Sequence, residues 1–252
     1  MIPGSRVISQ AASPDENAAG LIQETPDPLR YDGQVLDPDE VSGIVTGMIP
    51  TGARVLEVGC GTGSLSKIVA DTCGAEVVGV EPDAARAQRA AGRGLKVHVG
   101  FLTRELIHEI GSFDVVLFAD VLEHLPNPHA MLLLSREALR AGGAVVISVP
   151  NVAHWSVRVD ILLGRFRYQP LGIMDATHLR WFTAASLRSL MASSGFRVTE
   201  YRATAGYGLP DNVGRRPLTW LPANLRTRFL RFASRHWPTL FGSQHVLKAE
   251  ML

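Results

Sequence analysis

Val55-Leu56-Glu57-Val58-Gly59-Cys60-Gly61-Thr62-Gly63 is the stretch from which the fold of this chain can be read. Arg54 to Val58 is an apolar run with the length of a buried parallel strand, and Ser64 to Ala70 carries the apolar spacing of a helix. A chain that must leave a strand, turn sharply and enter a helix needs residues that tolerate positive φ. It also needs residues without a Cβ where the backbone approaches a ligand. Gly59, Gly61 and Gly63 meet both needs, so the stretch reads as strand, ligand loop and helix.

A second apolar run, Glu76 to Val80, ends in Glu81, and Pro82-Asp83 follow as a helix start. An acid at a strand tip about 20 residues after a glycine loop can accept both hydroxyls of a ribose. Dinucleotide enzymes share that acid, but their Gly-x-Gly-x-x-Gly spacing lets a helix N-terminus hold a pyrophosphate. Here the loop is Glu-x-Gly-x-Gly-x-Gly. The Glu57 carboxylate would repel a pyrophosphate and suits a ligand bearing an ammonium and a sulfonium, which points to S-adenosyl-L-methionine.

Farther along, the pattern predicts strands near 54–58, 76–81, 95–99, 113–119, 144–149, 197–204 and 244–250. Helices are predicted near 63–72, 83–91, 103–110, 128–140 and 183–194, with another from Asp37 to Met48 leading into the first strand. Strands alternating with helices specify an open α/β sheet covered on both faces.

With Gly79-Val80-Glu81-Pro82, Phe113 to Val116, Asp120 to Leu125 and Arg140 to Asn151 added to the glycine loop, the chain resembles class I S-adenosylmethionine-dependent methyltransferases. The resemblance covers roughly Tyr31 to Arg202. It is to the branch containing ubiquinone-biosynthesis O-methyltransferases and small-molecule and sugar methyltransferases. It implies a Rossmann-like, seven-stranded, mostly parallel sheet whose last strand is antiparallel and inserted beside the fifth. Glu57, Gly59 and Gly61 would lie around the methionine part of the cofactor, Glu81 would bind the ribose, Ala119, Asp120 and Val121 would run past it, and Cys60, Gly63 and Pro82 join them as cofactor-binding candidates. Many relatives carry an acid for the adenine amino group after the third strand. This chain has Gly100-Phe101-Leu102, which leaves adenine to backbone groups or to packing against Phe101.

Methyl transfer from a sulfonium is an in-line displacement, so a protein performing it mainly aligns the acceptor and excludes water. A hydroxyl acceptor must also lose a proton, to a base or with the help of a metal. His124, His154 and His178 are the candidate catalytic residues. The resemblance to small-RNA methyltransferases, in which an acid-x-x-Glu-His element and a later histidine hold a divalent ion, makes Asp120, Glu123, His124 and His178 candidate ligands. Two other readings stay open. His178 could cap the helix that starts near Thr183, and His154 could form a wall of the acceptor pocket.

Two insertions flank the presumed acceptor side. Residues 151–182 carry Trp155, Phe166, Tyr168 and Trp181, which suits a mid-sized organic acceptor. Residues 206–242 carry Arg215, Arg216, Arg226, Arg228, Arg231 and Arg235 against the single acid Asp211, with Leu225, Phe229, Leu230, Phe232 and Trp237 interleaved. A short amphipathic helix is expected there. The basic segment could be a solvated or homodimer face, a site for an anionic acceptor, or a peripheral membrane contact.

Residues 1–30 read as a flexible arm and 31–252 as one methyltransferase domain. A net charge of +1 gives no global case for nucleic-acid binding. The two cysteines, Cys60 and Cys73, with no leader recognised ahead of them, lead to the expectation of a reduced, cytoplasmic setting. The expected activity is methyl transfer to a hydroxyl of a sugar or a natural-product ring. N- or C-methylation of a small metabolite, or a noncatalytic cofactor-binding module, would share most of these features.

Overall fold

The computed structural model describes residues 32–207 and 220–252. The expected arm at 1–30, and Asp211, Arg215 and Arg216 of the basic insertion, lie outside the described residues. Helix α1 (Val41–Met48) precedes β1 (Arg54–Val58), α2 (Ser64–Cys73), β2 (Glu76–Glu81), α3 (Ala84–Gly92), β3 (Lys96–Val99), α4 (Arg104–Ile110) and β4 (Phe113–Ala119). A 3-10 turn (Leu122–His124), α5 (Pro128–Glu137), β5 (Leu139–Pro150), α6 (Trp155–Leu162) and α7 (Ala184–Ser193) follow. The chain ends with β6 (Phe196–Ala203), α8 (Ala223–His236), α9 (Pro238–Phe241) and β7 (Gln244–Met251).

One seven-stranded sheet runs in the order β3-β2-β1-β4-β5-β7-β6. The first five strands are parallel, and β7 lies antiparallel between β5 and β6, as the resemblance implied. Side chains on successive strand residues point to opposite faces. Leu56, Val116, Val145 and Leu247 therefore enter a core shared with Ile107, Leu132 and Leu187 of α4, α5 and α7. Val55, Val115, Val146 and Val246 enter the opposite core with Val45 of α1 and Val69 of α2. The central strands thus read as continuous apolar runs because both faces are covered.

Local chemistry places the helix starts. Asp83, Thr103 and Asn127 each accept a backbone N–H from three residues ahead, and Thr183 forms a reciprocal capping box with Ser186. The helix expected over 128–140 ends earlier, because Leu139 pairs with Phe113 and begins a longer β5. Helix α6 was not anticipated. Its sequence, Trp-Ser-Val-Arg-Val-Asp-Ile-Leu, has β-branched residues and little one-sided apolar pattern.

Candidate active site

The glycine loop, the tips of β1, β2 and β4, and the segment 173–180 converge at the C-terminal edge of the sheet, where open α/β sheets bind ligands. Gly59 has φ 73°, and a Cβ there would stand 2.7 Å from Cγ2 of Val121. Gly63 has φ 75°, and its Cβ would lie 2.5 Å from Leu95 Cδ1 and 2.8 Å from Ala90 Cβ, so α3 and the loop before β3 seat directly on the start of α2.

Glu81 joins two loops. Its buried carboxylate accepts the Gly61 N–H at 2.8 Å on one oxygen and the Asp83 N–H at 3.0 Å on the other. Glu57 is also buried and accepts from the Ser66 hydroxyl. Burial raises its pKa to about 7, the nearby Glu81 charge adds to this, and Ser66 opposes it. Because an exposed glutamate ionises near 4.5, Glu57 binds its proton more tightly in the folded chain. Its contribution to stability is therefore greatest below that value and is lost as pH rises towards 7. Over the loop lies a strap, with Asp32 accepting from Thr62 Oγ1 at 2.7 Å and pairing with Arg89 and Arg93, while the Gln34 N–H reaches Ser64.

After β4 the chain bends at Asp120, whose φ of 54° makes it the only non-glycine residue with positive φ among the described residues. Its carboxylate accepts from Ser148 Oγ at 3.0 Å and Gln244 Nε2 at 2.8 Å. Burial raises its pKa to about 6 against those two bonds. The bend delivers the turn that carries Glu123 and His124. The Glu123 carbonyl accepts the N–H groups of Leu179 and Arg180 at 2.8 and 2.9 Å, which docks the His178 segment onto the turn.

Glu123, His124 and His178 then each offer one ligand atom, all within 4.8 Å of one another. Among the described residues, neither carboxylate oxygen of Glu123 has a hydrogen-bond partner, although the residue is only 1% exposed. Burial, followed by the charges of Asp120 and Asp175, drives its pKa well above the ordinary range. His124 Nδ1 lies 3.1 Å from the Thr177 carbonyl, and His178 Nδ1 lies 3.1 Å from that of Ile173. A carbonyl only accepts, so each Nδ1 carries the proton and Nε2 is the basic nitrogen of each ring. Histidines that bind metals are commonly oriented in this way.

The other sequence candidates fall in different surroundings. Asp120 is not one of the trio, because its carboxylate faces Ser148 and Gln244. Cys60 is a buried free thiol, raised by burial, whereas Pro82 is exposed. Ala119 and Val121 are half-buried beside the loop, and Phe101 is 71% exposed at the tip of β3. His154 is fully buried and accepts the Ser156 N–H as the N-cap of α6. The cap of α7 is Thr183, so the capping role considered for His178 falls instead to His154 at another helix. Asp32, Ser66, Ser148 and Gln244 escaped the sequence reading, because each becomes part of the site through a partner at least nine residues away.

A Rossmann-like sheet with a glycine loop, a buried acid at the tip of β2 and the Glu123, His124 and His178 group at one edge has the arrangement in which open α/β sheets bind nucleotide-type ligands. A methyltransferase-domain family model matches residues 30–201, and the chain belongs to that family. It is 32% identical over 122 residues to a ubiquinone biosynthesis O-methyltransferase of Xanthomonas axonopodis pv. citri, covering 46% of this chain and 51% of that protein. The like-named protein of Ruegeria pomeroyi is 34% identical over 153 residues, 57% of this chain and 60% of the relative. The chain thus spans about half the length of the first of these curated relatives. In structure it resembles a SAM dependent methyltransferase from Archaeoglobus fulgidus with a TM-score of 0.55 and 19% identity, over 83% of this chain and 94% of that one. Among the described residues, no helix is long and apolar enough to cross a membrane.

Proposed function

We propose that this chain transfers the methyl group of S-adenosyl-L-methionine to a hydroxyl of a small organic acceptor, a sugar or a phenolic ring, with Glu123, His124 and His178 holding a divalent cation beside the methyl donor. The observation that carries this reading is the buried Glu123 carboxylate, which lacks a hydrogen-bond partner among the described residues and lies within 4.8 Å of ring nitrogens of two histidines of matching tautomer. A buried carboxylate in that condition requires a proton or a cation. Two imidazoles with one carboxylate suit Mn²⁺ or Zn²⁺ better than Mg²⁺, which prefers an all-oxygen shell. A cation there would lower the pKa of a bound acceptor hydroxyl.

The cofactor supplies the reactive methyl group, and the protein supplies alignment and a dry site. Glu57 and Glu81 place negative charge under the loop, and the Asp32 strap covers the loop. On the acceptor side, Phe166 meets Tyr168 and Trp181 edge to face, both at 5.7 Å between ring centroids. These rings could line a pocket for a sugar or an aromatic ring.

Calorimetric titration of chelator-treated protein preloaded with S-adenosylhomocysteine tests the metal. Stoichiometric binding of Mn²⁺ or Zn²⁺, lost in His124→Ala, is the expected result. Absence of binding by the wild-type chain would remove the cation and leave His178 as the base.

Glu57 makes the cofactor step pH-dependent. A cationic ligand favours the ionised carboxylate, so affinity for S-adenosyl-L-methionine should rise as pH passes from about 6 to about 8, with proton release on binding below about 7. S-adenosylhomocysteine, without the sulfonium charge, should show a shallower rise. Titration in buffers of different ionisation enthalpy measures the released protons, and equal slopes for the two ligands would remove Glu57 from the sulfonium's surroundings.

A further inference from the structure

Helix α8 exposes an apolar stripe that the methyl-transfer site does not use. Its inner face is Leu230, Ala233 and Ser234. On the outer face, Leu225 and Phe229 are spaced by one turn, Phe232 follows three residues later, and Trp237 comes just beyond the helix end. They are 47%, 37%, 52% and 52% exposed. Trp220 and Leu221 precede the helix at 73% and 38% exposure.

Arg226, Arg228, Arg231 and Arg235 share this helix, which contains no acid. Asp39, next to α1, pairs with Arg231 at 2.6 Å and Arg235 at 2.7 Å and so holds the inner edge of α8 against the body of the protein. Arg226 and Arg228 belong to none of the ion pairs among the described residues. Asn151, at the end of β5, donates to the carbonyls of Thr239 and Gly242 just after the helix, which fixes α8 and α9 near the start of the acceptor-side insertion.

We propose that the outer face of α8 docks on an anionic lipid bilayer. A helix whose exposed apolar stripe carries leucine, phenylalanine and tryptophan, and is flanked by arginines without an acid, has the composition that settles in a charged headgroup layer. Pairing with a second copy of this chain is disfavoured by charge. A two-fold contact along α8 would set arginines against arginines, and the nearby Asp39 is already engaged. Docking is independent of which acceptor is methylated and of whether Glu123 holds a metal.

The test is co-sedimentation of the full chain with vesicles of phosphatidylcholine alone and of phosphatidylcholine mixed with phosphatidylglycerol. Binding to the mixed vesicles only, weakening as salt rises, is expected. Each arginine near such a surface contributes about fivefold, so Arg226→Glu combined with Arg228→Glu should weaken binding about 25-fold or more. Phe232→Ser with Trp237→Ser should abolish co-sedimentation with mixed vesicles. Failure of the wild-type chain to bind mixed vesicles would overturn the proposal, as would unchanged binding in both double variants. A dimer in solution that Phe232→Ser with Trp237→Ser disperses, without any lipid binding, would make the face an interface between copies instead. If a variant melts far below wild type by circular dichroism, the salt titration of the wild-type chain decides, and salt-independent binding overturns the proposal.

Discussion

His178→Ala is expected to reduce methyl transfer about 10²-fold or more while leaving cofactor affinity near its wild-type value. The His178 ring is held by the Ile173 carbonyl, meets His124 edge to face at 5.0 Å between centroids, and groups with Glu123. Its loss should therefore strike the acceptor side and spare the bonds that Glu81 makes to Gly61 and Asp83. The measurement is turnover with a hydroxyl acceptor that the wild-type chain methylates, catechols being the first to screen, alongside calorimetry with S-adenosylhomocysteine and with Mn²⁺. Loss of turnover together with Mn²⁺ binding makes His178 a ligand, and loss of turnover alone makes it a base. Equal loss of cofactor affinity would show that the residue only supports the fold of the site.

The second large effect is on stability. Gly63→Ala places a Cβ 2.5 Å from Leu95 Cδ1 and 3.0 Å from Ala90 Cα, at a φ of 75° that a side chain resists. Leu95 can turn aside, but Ala90 is in α3, so the helix itself must move. Left-handed strain of about 1–2 kcal/mol and overpacking of about 1–3 kcal/mol together predict a loss of about 2–5 kcal/mol, read from the urea midpoint at an unchanged m-value. Gly61→Ala is the matched control. Its φ is 55°, but nothing lies within 4 Å of the added Cβ, so it should carry the strain alone while intruding where the cofactor approaches. Gly61→Ala should thus lose ligand affinity and keep most of its stability. Equal stability losses in the two variants would mean that the packing of α3 on the loop contributes nothing.

The sheet was legible in the sequence because its central strands are buried on both faces. Val55 to Val58, Val77 to Val80 and Val115 to Phe118 then have to be apolar at nearly every position, and a glycine loop and an acid can follow only where the sheet ends. The same reasoning failed at α6, where only Ser156 and Val157 are buried and no regular stripe arises, and at Leu139, where pairing with Phe113 overrides the preceding helical pattern. Glu57, Glu81 and the Asp120 to His124 element could be singled out from spacing, since each sits at or next to the C-terminal end of its strand. Their electrostatic states could not be read in that way. The pKa of Glu57 is raised to about 7 because burial, and then the Glu81 charge, converge on it, and Asp120 turns to Ser148 and Gln244 through contacts that close only in three dimensions.

By itself, then, the sequence determined the seven strands, the helices other than α6 and α9, the loop and the acid that closes β2, since these depend on local periodicity and on residues adjacent along the chain. Only the tertiary structure decided that Glu123, His124 and His178 form one group without Asp120, that His154 rather than His178 caps a helix, and that α8 turns an apolar, arginine-flanked stripe to solvent. The physical reason is that desolvation, tautomer and exposure depend on what the folded chain brings alongside a residue, and those neighbours lie tens of residues away in sequence.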